Sequence, residues 1–296
     1  MARCISLDAS IEVNPCEELE QGNILFFPKS PLSFSEEEMA FLRAQRQTGS
    51  TKRKNIAYKP GRNQVTNFVR GKEKEAEKLL EVMRAFSERS IACLSKLFAP
   101  YAPHWQVDYA SFRPFQEQGR RLRTRARNDL LHIDAFPSRP MDGKRILRFF
   151  ININPTEHRR WRTSLPFQEL ARQYGGVKRG VPLRPTWGDR FLSAAKKTMK
   201  AMGIPLVMRS PYDAFMLRMH NFLKENGDFQ ASCPKDHWEF PPGSSWAVFT
   251  DQVSHAVLGG QYALEQTILV PHSALLHPKD SPLGILEAMA GQKMTR

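Results

Sequence analysis

A mainly β fold, with two facing sheets and flanking helices, is predicted for this chain from three observations. Runs at 105–109, 130–133, 146–153, 245–249 and 263–270 are apolar and rich in β-branched or aromatic residues. Turn residues separate them: Pro137-Ser-Arg-Pro-Met-Asp-Gly143, Pro241-Pro-Gly-Ser244 and Gly259-Gly260. Helices come first, then a β-rich half, a helical insertion and more strands, the layout of a sandwich or barrel.

The elements follow in order. Residues 1–22 are polar, carry Cys16 among Glu17, Glu18 and Glu20, and read as a loose arm. A short strand at 22–28 ends at Pro28. Ser35 with Glu38 three residues on is a capping box that opens a helix. Residues 47–65 read as a basic loop, and 72–98 as a long helix on the period of Leu79, Leu80, Val82, Met83, Phe86 and Ile91. Residues 155–230 break the strand series with helices near 166–174 and 187–202, and a third that opens at Ser210 as N-cap with Pro211 at N1. The division expected is 1–103 as an N-terminal arm, helices and short strand packed on the core, and 104–296 as the β domain. An insertion at about 155–235 interrupts the second part, and the whole forms one integrated domain.

Composition bounds the function. The chain has 296 residues, a formal net charge of +14 and 41% hydrophobic residues. That is enough apolar material for a core, which excludes disorder of the whole chain. The positive balance points to nucleic acid, an anionic membrane or an acidic substrate. Cys4, Cys16, Cys93 and Cys233 form no CxxC pair and read as reduced thiols of a cytoplasmic protein. The first residues hold no apolar stretch of a secretory signal, and no run is long enough to span a bilayer, so any membrane contact is expected to be peripheral.

The chemistry is carried by His132-Ile-Asp134. Residues two apart on a strand share a face, so this imidazole and carboxylate can meet one ion. A distant histidine then completes the facial triad of two His and one carboxylate that suits Fe(II) with open positions. His255 fits best: it follows the strand at 245–249 and precedes Gly259-Gly260. His237, which opens a strand, remains possible. His220, among Met216, Met219 and Phe222, reads as helix packing.

A strand with His-x-Asp, a turn, a strand, then His, glycines and a last strand resembles the Fe(II)/2-oxoglutarate dioxygenases over roughly 104–271. The stretches His132-Ile-Asp-Ala-Phe-Pro-Ser-Arg-Pro140, Arg148-Phe-Phe-Ile-Asn-Ile-Asn-Pro-Thr-Glu157 and Thr250-Asp-Gln-Val-Ser-His-Ala-Val257 resemble one branch, the hydroxylases of Kdo, the 3-deoxy-octulosonic acid sugar of lipopolysaccharide. The resemblance implies a double-stranded β-helix (jelly roll) core, Fe(II) held by His132, Asp134 and His255, 2-oxoglutarate as cosubstrate and O2. It also implies hydroxylation at C3 of Kdo on a lipid A precursor, at the cytoplasmic face of the inner membrane.

One feature departs from that superfamily. Many members supply an Arg for the cosubstrate about ten residues after the second His, but 256–271 contain no Lys or Arg, and Glu265, Gln266 and Thr267 stand there instead. Arg148, inside the run Ile146-Leu-Arg-Phe-Phe-Ile151, is the candidate for the cosubstrate carboxylate, because bidentate binding suits a guanidinium. Arg113 continues the register of Trp105, Val107 and Tyr109, and Asn152 shares a face with Arg148; both are further cosubstrate candidates.

The charge is uneven. Residues 113–162 hold 13 Lys+Arg against 5 acids, so +8 of the +14 lies on these fifty residues. All but one of the 13 are Arg, which favours carboxylate or phosphate recognition. Arg160, Arg162 and Arg127 are the substrate candidates. The helix at 187–202 gathers Trp187, Phe191 and Met199 on one side and Lys196, Lys197 and Lys200 on the other, a pattern that can lie on an anionic membrane. Two alternatives stay open: the same chemistry on nucleic acid or protein, and a cupin-like metal protein without oxygen chemistry. Oligomeric state is not legible.

Overall fold

Alternation along the strands sorts side chains between two environments. The computed structural model describes residues 2–7, 13–47, 55–69, 73–119, 122–184, 199, 202 and 206–296. The strands are β1 (Cys4–Ser6), β2 (Ile24–Phe27), β3 (Ile56–Lys59), β4 (Gln64–Thr66), β5 (Gln106–Arg113), β6 (Arg145–Asn152), β7 (Arg159–Pro166), β8 (Asp236–Phe240), β9 (Ser245–Phe249), β10 (Val253–Gly259) and β11 (Ala263–Val270). The major sheet runs β1-β2-β9-β6-β11-β5-β3-β4 and the minor sheet β10-β7-β8. Among the strand pairs of the described residues, only β1–β2 is parallel. The helices are α1 (Pro15–Glu20), α2 (Glu36–Ala44), α3 (Glu73–Leu97), α4 (Phe167–Tyr174), α5 (Pro211–Glu225), α6 (Gly227–Ser232) and α7 (Pro282–Ala290).

One face of the major sheet is apolar. Phe149 and Ile151 of β6, Phe249 of β9, Leu264 of β11 and Phe112 of β5 pack with Leu79, Met83, Phe86 and Leu94 of α3. The opposite face looks toward the minor sheet and is polar where it floors a cavity: Tyr109, Ser111, Arg113, Arg148, Glu265 and Thr267. Aromatic packing closes one end of the interlayer space, where Phe240 stacks on Trp246 at 3.9 Å and Trp161 meets Phe150 edge-on at 4.9 Å. Gly260 follows β10 at φ +100°, and its carbonyl accepts from the Arg159 guanidinium at 2.6 Å. A Cβ there would sit 2.9 Å from the Arg159 backbone.

Four expectations are corrected. The described part of the N-terminal arm is not loose: β1 pairs with β2, and the Asn14 side chain caps α1 by accepting from the Cys16 and Glu17 amides. The Tyr101 hydroxyl then donates to Glu20 at 2.6 Å. The basic loop contains the β3–β4 hairpin, which extends the major sheet beyond β5. The proposed insertion begins too early, because 159–166 form β7 at the centre of the minor sheet. Its sequence, Arg-Arg-Trp-Arg-Thr-Ser, looks like loop because Arg159 is itself buried on the inner face. The run at 130–133 is extended but makes a single bridge instead of a ladder. The basic helix expected at 187–202 lies outside the described residues, apart from Met199 and Met202. The Ser210 and Ser35 capping boxes form as expected. No helix of the described residues is long and apolar enough to cross a membrane.

A buried ion pair anchors the turn between β9 and β10. Arg145 Nε donates to Asp251 Oδ2 at 2.8 Å, its Nη2 to Gln252 Oε1 at 3.1 Å, and its guanidinium lies 4.0 Å above the Phe249 ring. Both charges are fully buried. Removing one partner strands the other in low dielectric, so Asp251→Ala is expected to cost ~3–5 kcal/mol in chemical denaturation. A loss below about 1 kcal/mol would mean that the pair is replaceable by packing.

Candidate metal centre

The geometry starts from one backbone bridge. His132 N donates to His255 O at 3.0 Å and His255 N donates to His132 O at 2.9 Å. This reciprocal pair fixes the two residues opposite each other, with ring centroids 4.7 Å apart. Asp134 N donates to Thr250 O at 2.9 Å, which carries the carboxylate to the same place. Nitrogen and oxygen ligand atoms of His132, Asp134 and His255 all lie within 4.8 Å of one another, and the three residues are buried.

The other edge of this segment has side chains where a sheet would have a strand. Leu131 N donates to Gln230 Oε1 at 3.0 Å, and Gln230 Nε2 donates back to Leu131 O at 2.9 Å. His220 Nδ1 donates to Ile133 O at 2.7 Å, since a carbonyl can only accept. Thus α5 and α6 hold the segment as a neighbouring strand would, and the His220 ring stands edge-on to His132 at 5.0 Å.

The donor set fits a divalent metal. His132 Nδ1 lies 2.7 Å from Leu130 O and His255 Nδ1 lies 3.1 Å from Val253 O. Both Nδ1 atoms therefore carry the proton, and each Nε2 keeps a lone pair. His132 Nε2 lies 3.7 Å from Asp134 Oδ1, and the ligand atoms of all three residues lie close enough for one ion to meet them. Burial pushes His132 well below the ordinary imidazole value, helped by the Lys224 ammonium; burial also lowers His255, against the pull of Asp134. Burial raises the Asp134 carboxyl, but Arg148, His255 and the Thr250 hydroxyl outweigh it and hold it well below the carboxylate range. Two neutral imidazoles and one carboxylate suit Fe(II) and leave coordination positions open.

That opening faces a cavity of about 850 Å³, lined by Arg148, Phe150, Trp161, His220, Lys224 and Glu265 among others. Trp161 stacks on His255 at 5.4 Å. Arg148 reaches two carboxylates, with Nε 3.1 Å from Asp134 Oδ2 and Nη1 donating to Glu265 Oε1 at 2.7 Å. Arg113 Nη2 donates to Glu265 Oε2 at 2.6 Å. Burial raises Glu265, but Arg148 and Arg113 outweigh it and hold it ionised below its ordinary value. Behind them Arg159 is pushed down to about 10 by burial, opposed by Glu117.

Of the six cosubstrate and substrate candidates, Arg113 and Arg148 line this cavity and the other four do not. Asn152 is wholly buried, with its amide donating to Glu157 O and Phe240 O and its oxygen accepting from Asn154 N. It braces the turn after β6 and has no group left for a cosubstrate. Arg160 and Arg162 point away because Trp161 between them faces the cavity, and strand neighbours alternate. Arg160 is exposed and donates to Gln118 at 2.8 Å. Arg127 forks onto Asp129 at 2.9 and 2.6 Å, while Arg125, Ala126 and Asn128 line the cavity. Sequence reasoning missed His220, Lys224 and Gln230. The available signal was that His220 and Lys224, four apart, share a helix face.

Two outcomes are expected. His220→Ala and Gln230→Ala should each weaken Co(II) binding ~10–100-fold, the range for partners that orient metal ligands, in anaerobic titration; unchanged affinity would mean β10 alone holds the segment. The second concerns pH. His132 and His255 are lowered from 6.5 in the fold, so the unfolded chain binds more protons just below that value. Stability of the metal-free protein is therefore full above about pH 6.5 and falls as pH drops below it. Urea midpoints at falling pH check this, and His132→Asn with His255→Asn should flatten the slope.

Comparison with known proteins agrees with this geometry. The chain matches the 3-deoxy-D-manno-oct-2-ulosonic acid (Kdo) hydroxylase family over residues 5–293. No curated protein matches it. Among solved structures it is similar to the Kdo hydroxylase KdoO, a non-heme Fe(II) alphaketoglutarate dependent dioxygenase, in complex with alphaketoglutarate and Fe(III). The TM-score is 0.85 and the identity 36%, over 99% of this chain and 97% of that chain. The cobalt(II) complex of KdoO gives 0.85 and 37% at the same coverage, and its apo form 0.84 and 36%. The family match spans nearly the whole chain and the sheets superpose on a jelly-roll oxygenase, so this chain belongs to the Kdo hydroxylase family of Fe(II)- and 2-oxoglutarate-dependent dioxygenases.

Proposed function

We propose that this enzyme hydroxylates an anionic sugar, C3 of a Kdo residue on a lipid A precursor, with His132, Asp134 and His255 as the iron ligands. The observation that supports this most is the pair of neutral imidazoles and one carboxylate opening onto a cavity floored by Arg113 and Arg148. Iron(II) with 2-oxoglutarate supplies the oxidation when bound: O2 is consumed, 2-oxoglutarate becomes succinate and carbon dioxide, and a substrate C–H becomes C–OH.

The chain's own residues prepare that chemistry. Hydrogen bonds at both Nδ1 atoms fix the imidazoles in the ligating tautomer. Arg148 holds Asp134 Oδ2, which leaves Oδ1 on the side of His132. Trp161 and Phe150 wall the site and exclude water on the His255 side. Arg148 and Arg113 are the proposed cations for the distal carboxylate of 2-oxoglutarate, held ready by their shared partner Glu265. Arg125, Arg139 and Lys224 line the cavity and replace Arg127, Arg160 and Arg162 as the proposed contacts for substrate anions. Peripheral contact with an anionic membrane face is part of the reading and rests on the basic, aromatic pattern of 187–202.

Enzyme loaded anaerobically with Fe(II), then given O2, 2-oxoglutarate and Kdo-lipid A, is expected to add one oxygen atom to the glycolipid and release succinate. No mass gain and no succinate would contradict the reading. Arg148→Ala is expected to weaken 2-oxoglutarate binding at least ~10-fold, the worth of a charge-assisted bidentate contact. Co(II) affinity measured without 2-oxoglutarate separates that loss from any effect through Asp134.

A further inference from the structure

One of the cations that line the cavity rises from α5. Lys224 is only 3% exposed and donates to Arg125 O at 3.2 Å. It follows His220 by one helical turn, about 6 Å, on the same helix face. The His220 ring stands 5.0 Å from the His132 ring, so Lys224 is one turn from a group that touches a metal ligand. Its charge is felt at both imidazoles, where it opposes protonation of His132 and His255.

Place separates Lys224 from the other cations of the cavity. Arg113 and Arg148 share Glu265 and serve the cosubstrate in the reading above. Arg125 points outward to Glu225, with its side chain 63% exposed. Arg139 lies over the Tyr109 and Phe136 rings, at 4.0 and 4.4 Å. Lys59 stands on β3, three strands from β6 in the major sheet. Lys224 is thus the cation beside the two histidines that the cosubstrate does not use. A divalent metal adds charge of the same sign nearby, and like charges repel strongly in a site shielded from water. A carboxylate brought next to both offsets that repulsion.

We infer that Lys224 is a specificity-determining residue: it holds the carboxylate of the sugar being oxidised and thereby selects the carbon that meets the metal. This rests on the anionic-sugar reading above and deepens it. In a 3-deoxy-2-ulosonic acid the carboxyl group is C1, and the deoxy position C3 is two bonds away. A carboxylate anchored beside His132 brings C3 to the metal and keeps the far carbons of the chain away from it. The substrate class is therefore a sugar acid whose target carbon adjoins the one that bears the carboxylate.

Two glycolipids test this: Kdo-lipid A, and the same compound with the Kdo carboxylate blocked as its methyl ester. Binding is measured under nitrogen to protein loaded with Co(II) and 2-oxoglutarate. Wild type is expected to bind the acid at least ~10-fold tighter than the ester, the worth of one charge-assisted contact. Lys224→Met and Lys224→Gln are expected to bind the two alike, with far-UV circular dichroism unchanged, and Arg139→Gln to keep the preference. Co(II) affinity measured without glycolipid is expected to hold or rise in the Lys224 variants, because a repelling charge is gone. With iron and O2, Lys224→Gln is expected to release more succinate per hydroxylated product than wild type. The inference is overturned if wild type has no preference, if either Lys224 variant retains it, or if Arg139→Gln loses it. It is also overturned if Co(II) affinity falls together with the preference, which marks a role in the packing of α5, or if the succinate ratio is unchanged. If neither glycolipid binds and Kdo-lipid A is not hydroxylated, the anionic-sugar reading fails and the inference falls with it. If Kdo-lipid A is hydroxylated but the preference is missing, only the inference fails.

Discussion

The reciprocal hydrogen bonds between His132 and His255 are the constraint on which the site depends. They join an extended segment with little sheet structure of its own to β10, which the minor sheet holds rigidly. Metal ligands must be placed to within fractions of an ångström, and a loop cannot do so unaided. Here the β-bridge sets one edge of the segment, and Gln230 and His220 set the other. The helical insertion is therefore part of the metal centre's scaffold. It does the work of a missing strand, with side-chain groups in place of a ladder.

A second constraint follows from placing charge between two sheets. The inner face of the major sheet carries Arg113, Arg148 and Glu265, and Asp134 faces them. Such groups are costly to bury unless each is paired. They form a chain: Asp134 to Arg148, Arg148 to Glu265, Glu265 to Arg113, Arg113 to Glu117. This changes the meaning of the basic cluster at 113–162. Much of its excess is neutralised by acids outside the segment, Glu265, Asp251, Asp108 and Glu225. The charge serves internal organisation first and anion recognition second.

The core strands and the His132–Asp134 pair were legible because both depend on short-range pattern, and His255 was legible from the strand and glycines that flank it. Alternation marks the start of β5, apolar runs mark β6, β9 and β11, and two residues sharing an extended face mark His132 and Asp134. What was missed depends on partners far along the chain. β7 reads as loop because its inward Arg159 is satisfied by Gly260 and Glu117. Arg160 and Arg162 were misplaced by parity alone, since Trp161 takes the inward position. β3 and β4 are only four and three residues long and follow a basic stretch, and the pairing of β3 with β5 and of β4 with β3 makes them strands. His220 lies among Met216 and Met219, so a helix that packs and a helix that lines a site look alike in one dimension.

The central claim is that His132, Asp134 and His255 form one metal site that opens to 2-oxoglutarate. Anaerobic titration of the metal-free protein with Co(II), followed by visible absorption, tests it most directly. The account predicts one tightly bound Co(II) per chain, ligand-field bands that shift when 2-oxoglutarate is added, and loss of both in Asp134→Ala. Tight binding that survives in Asp134→Ala, or bands indifferent to 2-oxoglutarate, would contradict it.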